Sequence, residues 1–500
     1  MPALLAPPAS VRRWRFDKET AAVAALALAV LVLHLATNGR YDFHRDELYY
    51  LDSARHPAWG YVDYPPLTPT IARLSLWLFG PSVSGLRLWP ALAGAAMVAL
   101  AALIARELGG GRAARVLAAI GAAASPVLLG ANWLFQTVSF DQLVWLLCLW
   151  LFARLLRTRD QRLWLAVGAG LGLGLETKYT ILALIAGLMA GTVLTPLRLD
   201  LKTPWPWLGL ALASLLLLPN LLWQGAHGWP SVEYTFNHKA AQSLDFAPLT
   251  FLGQQVALIG PLAIPLWLAG WYWLLAAAPR RPLGIAALVV FVAFLFVGKD
   301  YYVGPLIPLL VAAGFCALEA WTSRGWNWLR PVAGVAVGLQ AVLLLPFAVP
   351  VVPEATMARS PLAAVRKDFA DTVGWRDLAA QVAAVYDRLP ASDRARTVIL
   401  TENYGEAGAI NTYGPALGLP TAVSGELTHY YWRPAALDGP VITVNLDPGF
   451  LDTLFASCTR AGAVSNRYGL HNDEYGAPIS LCRGPTLPLD QLWPRLRVFQ

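Results

Sequence analysis

Residues 20–39, TAAVAALALAVLVLHLATNG, contain no Asp, Glu, Lys or Arg. A run of that kind is long enough to cross the ~30 Å hydrocarbon core of a bilayer as an α-helix. Uncharged windows of about 18 to 22 residues recur as far as residue 351. In lipid every backbone N–H and C=O must be satisfied within the protein, so only helices and closed barrels span. The windows lack the strict alternation of barrel strands. The chain therefore reads as an α-helical polytopic membrane protein. Composition agrees: 57% of its 500 residues are hydrophobic, only 14% are charged, and the mean hydropathy is +0.49. A soluble domain carries roughly 25% charged residues. The net charge of +7 would suggest a nucleic-acid partner in a soluble protein. Here the bases flank apolar runs, so they report topology, and no nucleic-acid partner is expected.

Eleven or more spans are expected, at about 20–37, 84–106, 113–131, 138–155, 162–177, 180–196, 205–223, 250–278, 283–298, 304–322 and 331–351. The first lacks a small-residue cleavage motif and reads as an anchor. The fifth, rich in Gly, is suited to close helix packing. The segment 67–83 is apolar but short and bounded by Pro and Gly, which predicts an interfacial helix.

Placing the N-terminus in the cytoplasm puts the short basic loops there, among them RELGGGRAAR, RLLRTRDQR and PRRP. The excess of Lys and Arg on that side favours the orientation. The outer loops then hold the acids, aromatics and amides: 38–83, NWLFQTVSFD, ETKYT, 224–249 and GKDYYVG. Function is expected on the outer face.

The chain divides into a membrane region, 1–351, with a long first outer loop at 38–83, and a small soluble α/β domain, 352–500. RTVILTEN and GPVITVNL read as strands; YGEAGAINTYGPALG and DPGFLDTLFAS read as helices following them. An outer location permits a Cys458–Cys482 disulfide. No internal repeat is evident, which counts against a transporter.

FHRDELYYLDSARHP in the first outer loop predicts a helix on the membrane surface that Pro57 ends. Asp46 and Glu47 fall in its first turn, where the helix dipole favours carboxylates. Asp52 can pair with Arg55 or His56, and Asp46 shares a face with Tyr50. An acid beside aromatics at the water–lipid boundary can act as a general base towards an acceptor hydroxyl. A solvated polar loop is the plainer reading of the same residues.

The pair DE in this loop, followed by GYVDYPPL, resembles the membrane glycosyltransferases of the GT-C class. More narrowly, it is similar to the bacterial branch of the protein O-mannosyltransferase family (family 39-like), which includes the lipid A aminoarabinose transferases. GKDYY followed by PLIPLL resembles that branch's later loop, and a soluble outer C-terminal domain is similar too. The resemblance implies a GT-C-like fold and transfer of a sugar from a polyprenyl-phosphate carrier, with inversion, to an acceptor on the outer face of a bacterial plasma membrane. The implied partners are that lipid-linked donor, the bilayer and an envelope acceptor (lipid, polysaccharide or protein). No nucleotide-phosphate loop is present, which suits such a donor.

The resemblance makes Asp46 a general base or acceptor-orienting carboxylate, with Glu47 as its supporting partner; the two roles are interchangeable at this point. It makes Asp141 an acceptor- or cation-binding acid, or else an N-cap. Lys178, Lys299 and, more weakly, Arg87 are candidates for the donor phosphate, because a leaving phosphate needs positive charge; span-end lysines also snorkel. Tyr50, Tyr301 and Tyr302 are candidates for carrier or sugar contact, or for the interfacial aromatic belt. No cofactor is required. Asp63 and His238 are a candidate pair of ligands for a divalent metal, although two ligands do not make a site. The aminoarabinose transferases carry a Lys before the Pro pair where this chain has Tyr64, so a basic phosphate contact is missing. The Tyr- and Trp-rich stretch around His429 reads as ordinary packing or a saccharide grip. Two other readings compete: a flippase for lipid or linked sugar, which predicts polar residues at mid-depth, and a non-catalytic scaffold.

Overall fold

The computed structural model describes residues 18–241, 248–297 and 299–500, with side chains throughout except at 238–241 and 297. Among the described residues sixteen α-helices precede residue 352, and shorter helices then lead to a C-terminal sheet. The sixteen are α1 (Lys18–Thr37), α2 (Arg45–Arg55), α3 (Leu67–Phe79), α4 (Val83–Glu107), α5 (Arg112–Ala123), α6 (Pro126–Asn132), α7 (Thr137–Thr158), α8 (Leu163–Leu175) and α9 (Ile181–Val193). There follow α10 (Pro204–Ala226), α11 (Pro230–Ala241), α12 (Pro248–Ile259), α13 (Ile264–Ala276), α14 (Arg281–Val297), α15 (Leu306–Trp321) and α16 (Leu329–Ala348).

The protein is a multi-pass membrane protein. Among the described residues five single helices qualify as spans by length and apolarity: α1, α4, α7, α10 and α16. Three bent pairs qualify together, and α8, α14 and α15 are shorter apolar helices. Helix thus occupies each expected span, but three are not straight. The segment 250–278, expected as one span, turns by 93° between α12 and the stretch Pro261–Ala276. The cause is local: Gly260 takes φ +84°, and Pro261 cannot continue the ladder of α12. Segment 113–131 bends by 52° at Pro126, and 180–196 turns by 100° into Pro196–Lys202. Of the segment expected as an interfacial helix, Leu67–Phe79 forms α3, which Gly80 terminates. The Gly-rich α8 packs closely on α10: a Cβ on Gly168 would collide with the backbone of Gly209, so only glycine permits this approach.

The C-terminal sheet has five strands: β1 (Val398–Thr401), β2 (Ala422–Ser424), β3 (Val441–Val444), β4 (Phe455–Ala463) and β5 (Pro478–Pro485). Their order is β2-β1-β3-β5-β4. The first three are parallel and buried apart from the partly exposed Val398, which suits their largely apolar sequences; β5 and β4 add an antiparallel edge. Cys458 and Cys482 lie opposite each other in that edge and are disulfide-bonded. The expected strands are β1 and β3, and the helices following them are Tyr404–Tyr413 and Pro448–Leu454.

One hydrophobic core is shared between the first long loop and the C-terminal region. Phe43, Leu48 and Leu51 pack with Trp375, Leu378, Ile399 and Ile410. This shared core fixes α2 against the helix Tyr404–Tyr413 and so determines what faces Asp46. Gly408 makes the contact tight: a Cβ there would meet the backbone of Leu48 at 2.9 Å.

Candidate functional site

The site begins at the N-terminus of α2. The N-cap is His44: its Nδ1 accepts the Asp46 N–H at 3.2 Å, and the His44 N–H donates to Glu47 Oε2 at 2.9 Å. This is a capping box with histidine in place of Ser or Thr. It sends the two acids in opposite directions.

Glu47 turns inward and is fully buried. Its carboxylate accepts from the Phe135 N–H at 2.8 Å, and from Arg87 Nε at 2.8 Å and Nη2 at 2.7 Å, besides the His44 N–H. Arg87 is equally buried. Its remaining N–H groups donate to the carbonyls of Asn38, Tyr41 and Asp42, so all five donors are used. Neither group presents a free polar atom to a ligand.

Asp46 turns outward, with its side chain 34% exposed. Its Oδ1 accepts the Tyr404 hydroxyl at 2.9 Å. Its charge acts on Lys299, Tyr50, Tyr301, Asp63 and Glu426, which places it at the centre of a polar cluster.

The loop after α2 is held from several sides. Asn220 and Gln224 of α10 donate to the carbonyls of Trp59 and Tyr61, and the Leu67 N–H donates to Glu176 O at 2.9 Å. Asp63 accepts the Tyr49 hydroxyl at 2.8 Å, and the same hydroxyl lies 2.8 Å from Thr428 Oγ1. Burial pushes the Asp63 carboxyl up to about 8, and the charges of Asp46 and Glu426 add to the rise. Tyr64 turns away from this group. Its hydroxyl pairs with Ser53 Oγ at 2.7 Å, and its ring packs against Tyr49, Tyr50 and Tyr61.

Lys178 and Lys299 come from different loops and meet at the same cluster. Lys178 Nζ lies 5.1 Å from the Tyr301 ring centroid and 4.9 Å from that of Tyr302. Burial pulls the Lys299 ammonium below its ordinary value, and the like charge of Lys178 pulls it further. Lys178 thus lies on half-buried tyrosine rings, and its charge is felt by Lys299. Asp141 accepts from Trp145 Nε1 at 3.0 Å and from Thr180 Oγ1 at 2.9 Å, and lies within the field of Lys178. It sits in the second turn of α7 and caps no helix.

The structure therefore brings together Asp46, Tyr50, Asp63, Lys178, Lys299, Tyr301 and Tyr302. It removes Glu47 and Arg87 from the open face. The side chain of His238 lies outside the described residues. Among the described residues no group of three His, Cys, Asp or Glu side chains could hold a metal ion.

Sequence reasoning missed Tyr404, Thr428 and Glu426, which reach the site from the C-terminal region. Glu426 accepts the Tyr404 N–H at 2.9 Å, and burial pushes its carboxyl up to about 7. The capping pattern N-x-x-E at Asn403 marks the start of the helix that carries Tyr404, but nothing local marks the tyrosine itself. His429 is buried against Asp52, with Nε2 3.5 Å from Oδ2, and burial holds its imidazole down at about 4. Trp432 stacks on His56. These contacts belong to the packing of the C-terminal region on α2.

Residues 63–223 match the family model described as dolichyl-phosphate-mannose-protein mannosyltransferase. The chain has the fold of ArnT from Cupriavidus metallidurans. The apo crystal structure aligns with a TM-score of 0.62 at 16% identity, covering 93% of this chain and 98% of that one. The structure bound to undecaprenyl phosphate aligns with a TM-score of 0.60 at 17% identity, covering 92% and 97%. The mycobacterial arabinofuranosyltransferase AftD aligns with a TM-score of 0.52 at 18% identity, over 92% of this chain and 41% of that one. No curated protein matches the chain.

Proposed function

We propose that this membrane glycosyltransferase of the GT-C class takes a sugar from a polyprenyl-phosphate carrier and passes it, with inversion, to a hydroxyl-bearing acceptor at the outer face of the bacterial plasma membrane. The observation that carries the reading is the convergence of one open carboxylate, Asp46, with two mutually repelling ammonium groups, Lys178 and Lys299. A similar structure with undecaprenyl phosphate bound supports a lipid-linked donor.

In this reading Asp46 takes the proton of the acceptor. The acceptor oxygen attacks the anomeric carbon, a new C–O bond forms, and the bond from that carbon to the phosphate oxygen breaks. The polyprenyl phosphate leaves with the bonding pair, and its growing charge falls on Lys178 and Lys299. Positioned charges of this sort are worth most in a half-buried site from which water is excluded. Tyr301 and Tyr302 hold Lys178 in place and offer a surface to the carrier; Tyr50 flanks the base. Glu47 and Arg87 are assigned to holding the loop and α4 together. Asp141 orients Thr180 and, through its charge, Lys178. The N-terminus is assigned to the cytoplasm, with 38–83 and the region 352–500 on the outer side.

The test is transfer by the reconstituted full chain from a polyprenyl-phosphate sugar, with donor and acceptor identified by mass spectrometry of envelope glycans from cells with and without the protein. Asp46→Asn is expected to lose turnover by about 10²–10⁴-fold. Wild-type turnover in that variant removes the base assignment. Movement of the carrier across the bilayer without transfer replaces the whole reading with that of a flippase.

A further inference from the structure

We propose that Tyr404, delivered by the C-terminal region, is a positioning residue for Asp46. The proposal rests on the reading of Asp46 as the base.

Two hydrogen bonds fix Asp46. Its backbone N–H is held by the His44 cap. Its Oδ1 accepts the Tyr404 hydroxyl at 2.9 Å. Its Oδ2 lies 3.9 Å from His44 Nδ1, a nitrogen already accepting from the backbone and so carrying no proton to donate there. A carboxylate with one oxygen committed to a donor and the other unbonded has one oxygen with which to receive a proton. That oxygen's direction is set by where the tyrosine hydroxyl stands.

The tyrosine is itself tightly placed. Its ring stacks on Tyr49 at 4.6 Å, and the Arg45 guanidinium lies 5.2 Å from its centroid on the same cluster. Its backbone N–H is anchored on Glu426. The helix Tyr404–Tyr413 is clamped on α2 through Gly408 and Leu48. Burial and the charge of Asp46 keep the phenol protonated, and hence a donor. Other charged or titratable groups act on this pair: Arg45 on both, His44 backed by Asp371, Asp63 half-buried beside Asp46, and Lys299 across the site. The base is thus attached to the C-terminal region by a hydrogen bond spanning 358 residues of sequence. An acceptor that displaces or tightens that region alters the aim of the base.

The experiment is a double-mutant cycle on reconstituted full-length protein with Tyr404→Phe, Asp46→Asn and both. Tyr404→Phe keeps the ring stack and the cation contact and removes only the hydroxyl. Its expected effect is a fall in kcat of about 10- to 100-fold with KM changed less than about twofold, since misdirecting a reacting group costs rate rather than binding. In the Asp46→Asn background Tyr404→Phe is expected to add nothing. Wild-type kcat in Tyr404→Phe overturns the positioning role while leaving Asp46 as base. So does an effect that multiplies with that of Asp46→Asn. Wild-type turnover in Asp46→Asn alone instead overturns the reading on which the proposal rests. Thermal unfolding of Tyr404→Phe, expected within about 1 kcal/mol of the parent, separates a kinetic effect from a folding one.

Discussion

Glu47 and Arg87 satisfy each other completely: both are fully buried, with Nε–Oε1 at 2.8 Å and Nη2–Oε2 at 2.7 Å, and every remaining guanidinium donor goes to a backbone carbonyl of residues 38–42. A bidentate pair closed in this way is a joint between α4 and the loop that carries α2. Removing one partner leaves a buried charge uncompensated. Arg87→Ala is expected to lose about 3–5 kcal/mol of stability, seen as a lower melting temperature and poor recovery in detergent. A Glu47→Gln, Arg87→Met double variant recovers most of that loss, because no unpaired charge remains. A phosphate ligand would give the opposite pattern: Arg87→Ala stable, with a raised KM for donor.

Lys299 is expected to set the alkaline side of the pH dependence. The folded-state pKa of Lys299 is lowered, first by burial and then by Lys178. Its ammonium therefore loses its proton at a lower pH than a free lysine, and activity that needs this charge falls as pH rises through that lowered value. Lys178→Met removes the repelling charge, so the alkaline limb is expected to move upward even though kcat falls, by about 10²-fold for loss of one stabilising charge. A pH–rate series on the two proteins decides it; an unmoved limb means that Lys299 does not titrate in the reaction.

Asp63 makes a prediction about stability. Its carboxyl, ordinarily near 3.8, is raised to about 8 by burial. The folded chain then holds a proton that the unfolded chain releases above about pH 4. The sign follows: this contribution is complete below about 4 and is lost progressively as pH rises towards 8. Asp63→Asn imitates the protonated form and keeps the contact with the Tyr49 hydroxyl. Melting temperatures measured from pH 4 to 9 are expected to fall less steeply with rising pH in Asp63→Asn than in the parent.

How much of this was legible in the sequence depends on whether the deciding interaction is local. α2 was legible because periodicity, the first-turn acids and Pro57 all lie within about fifteen residues. β1 and β3 were legible as short β-branched runs bounded by Gly, Pro and Asn. β4 was not, because it begins at Phe455, directly after the helix Pro448–Leu454, and most of its side chains are exposed. The division of labour between Asp46 and Glu47 was left open for a physical reason. Adjacent residues on a helix point about 100° apart, and which one faces inward is decided by Arg87, 40 residues away. Tyr404 and Thr428 reach Asp46 and Tyr49 across more than 350 residues, through a sheet-and-helix arrangement that no short pattern encodes. The alternative reading of Asp141 as an N-cap failed because α7 begins four residues earlier, at Thr137.

Tyr64 stands where the aminoarabinose transferases, which this chain resembles, carry a lysine, and its placement decides what restoring that lysine would do. The side chain is 4% exposed, hydrogen-bonded to Ser53 and surrounded by Tyr49, Tyr50 and Tyr61. An ammonium at that point has the Ser53 hydroxyl for a partner, and the nearby Asp63 carboxyl, raised to about 8, offers it little charge. Tyr64→Lys is therefore expected to cost about 2–4 kcal/mol of stability without lowering KM for a polyprenyl-phosphate donor. Tyr64→Phe, which loses a single hydrogen bond, is expected to cost about 1 kcal/mol and to leave turnover near that of the parent. Titration of the three proteins with polyprenyl phosphate, alongside their melting curves, separates the cases. Tighter binding by Tyr64→Lys would show that the phosphate lies against this loop and not between Lys178 and Lys299. Unchanged or weaker binding is the result that agrees with a donor site in which those two lysines carry the positive charge.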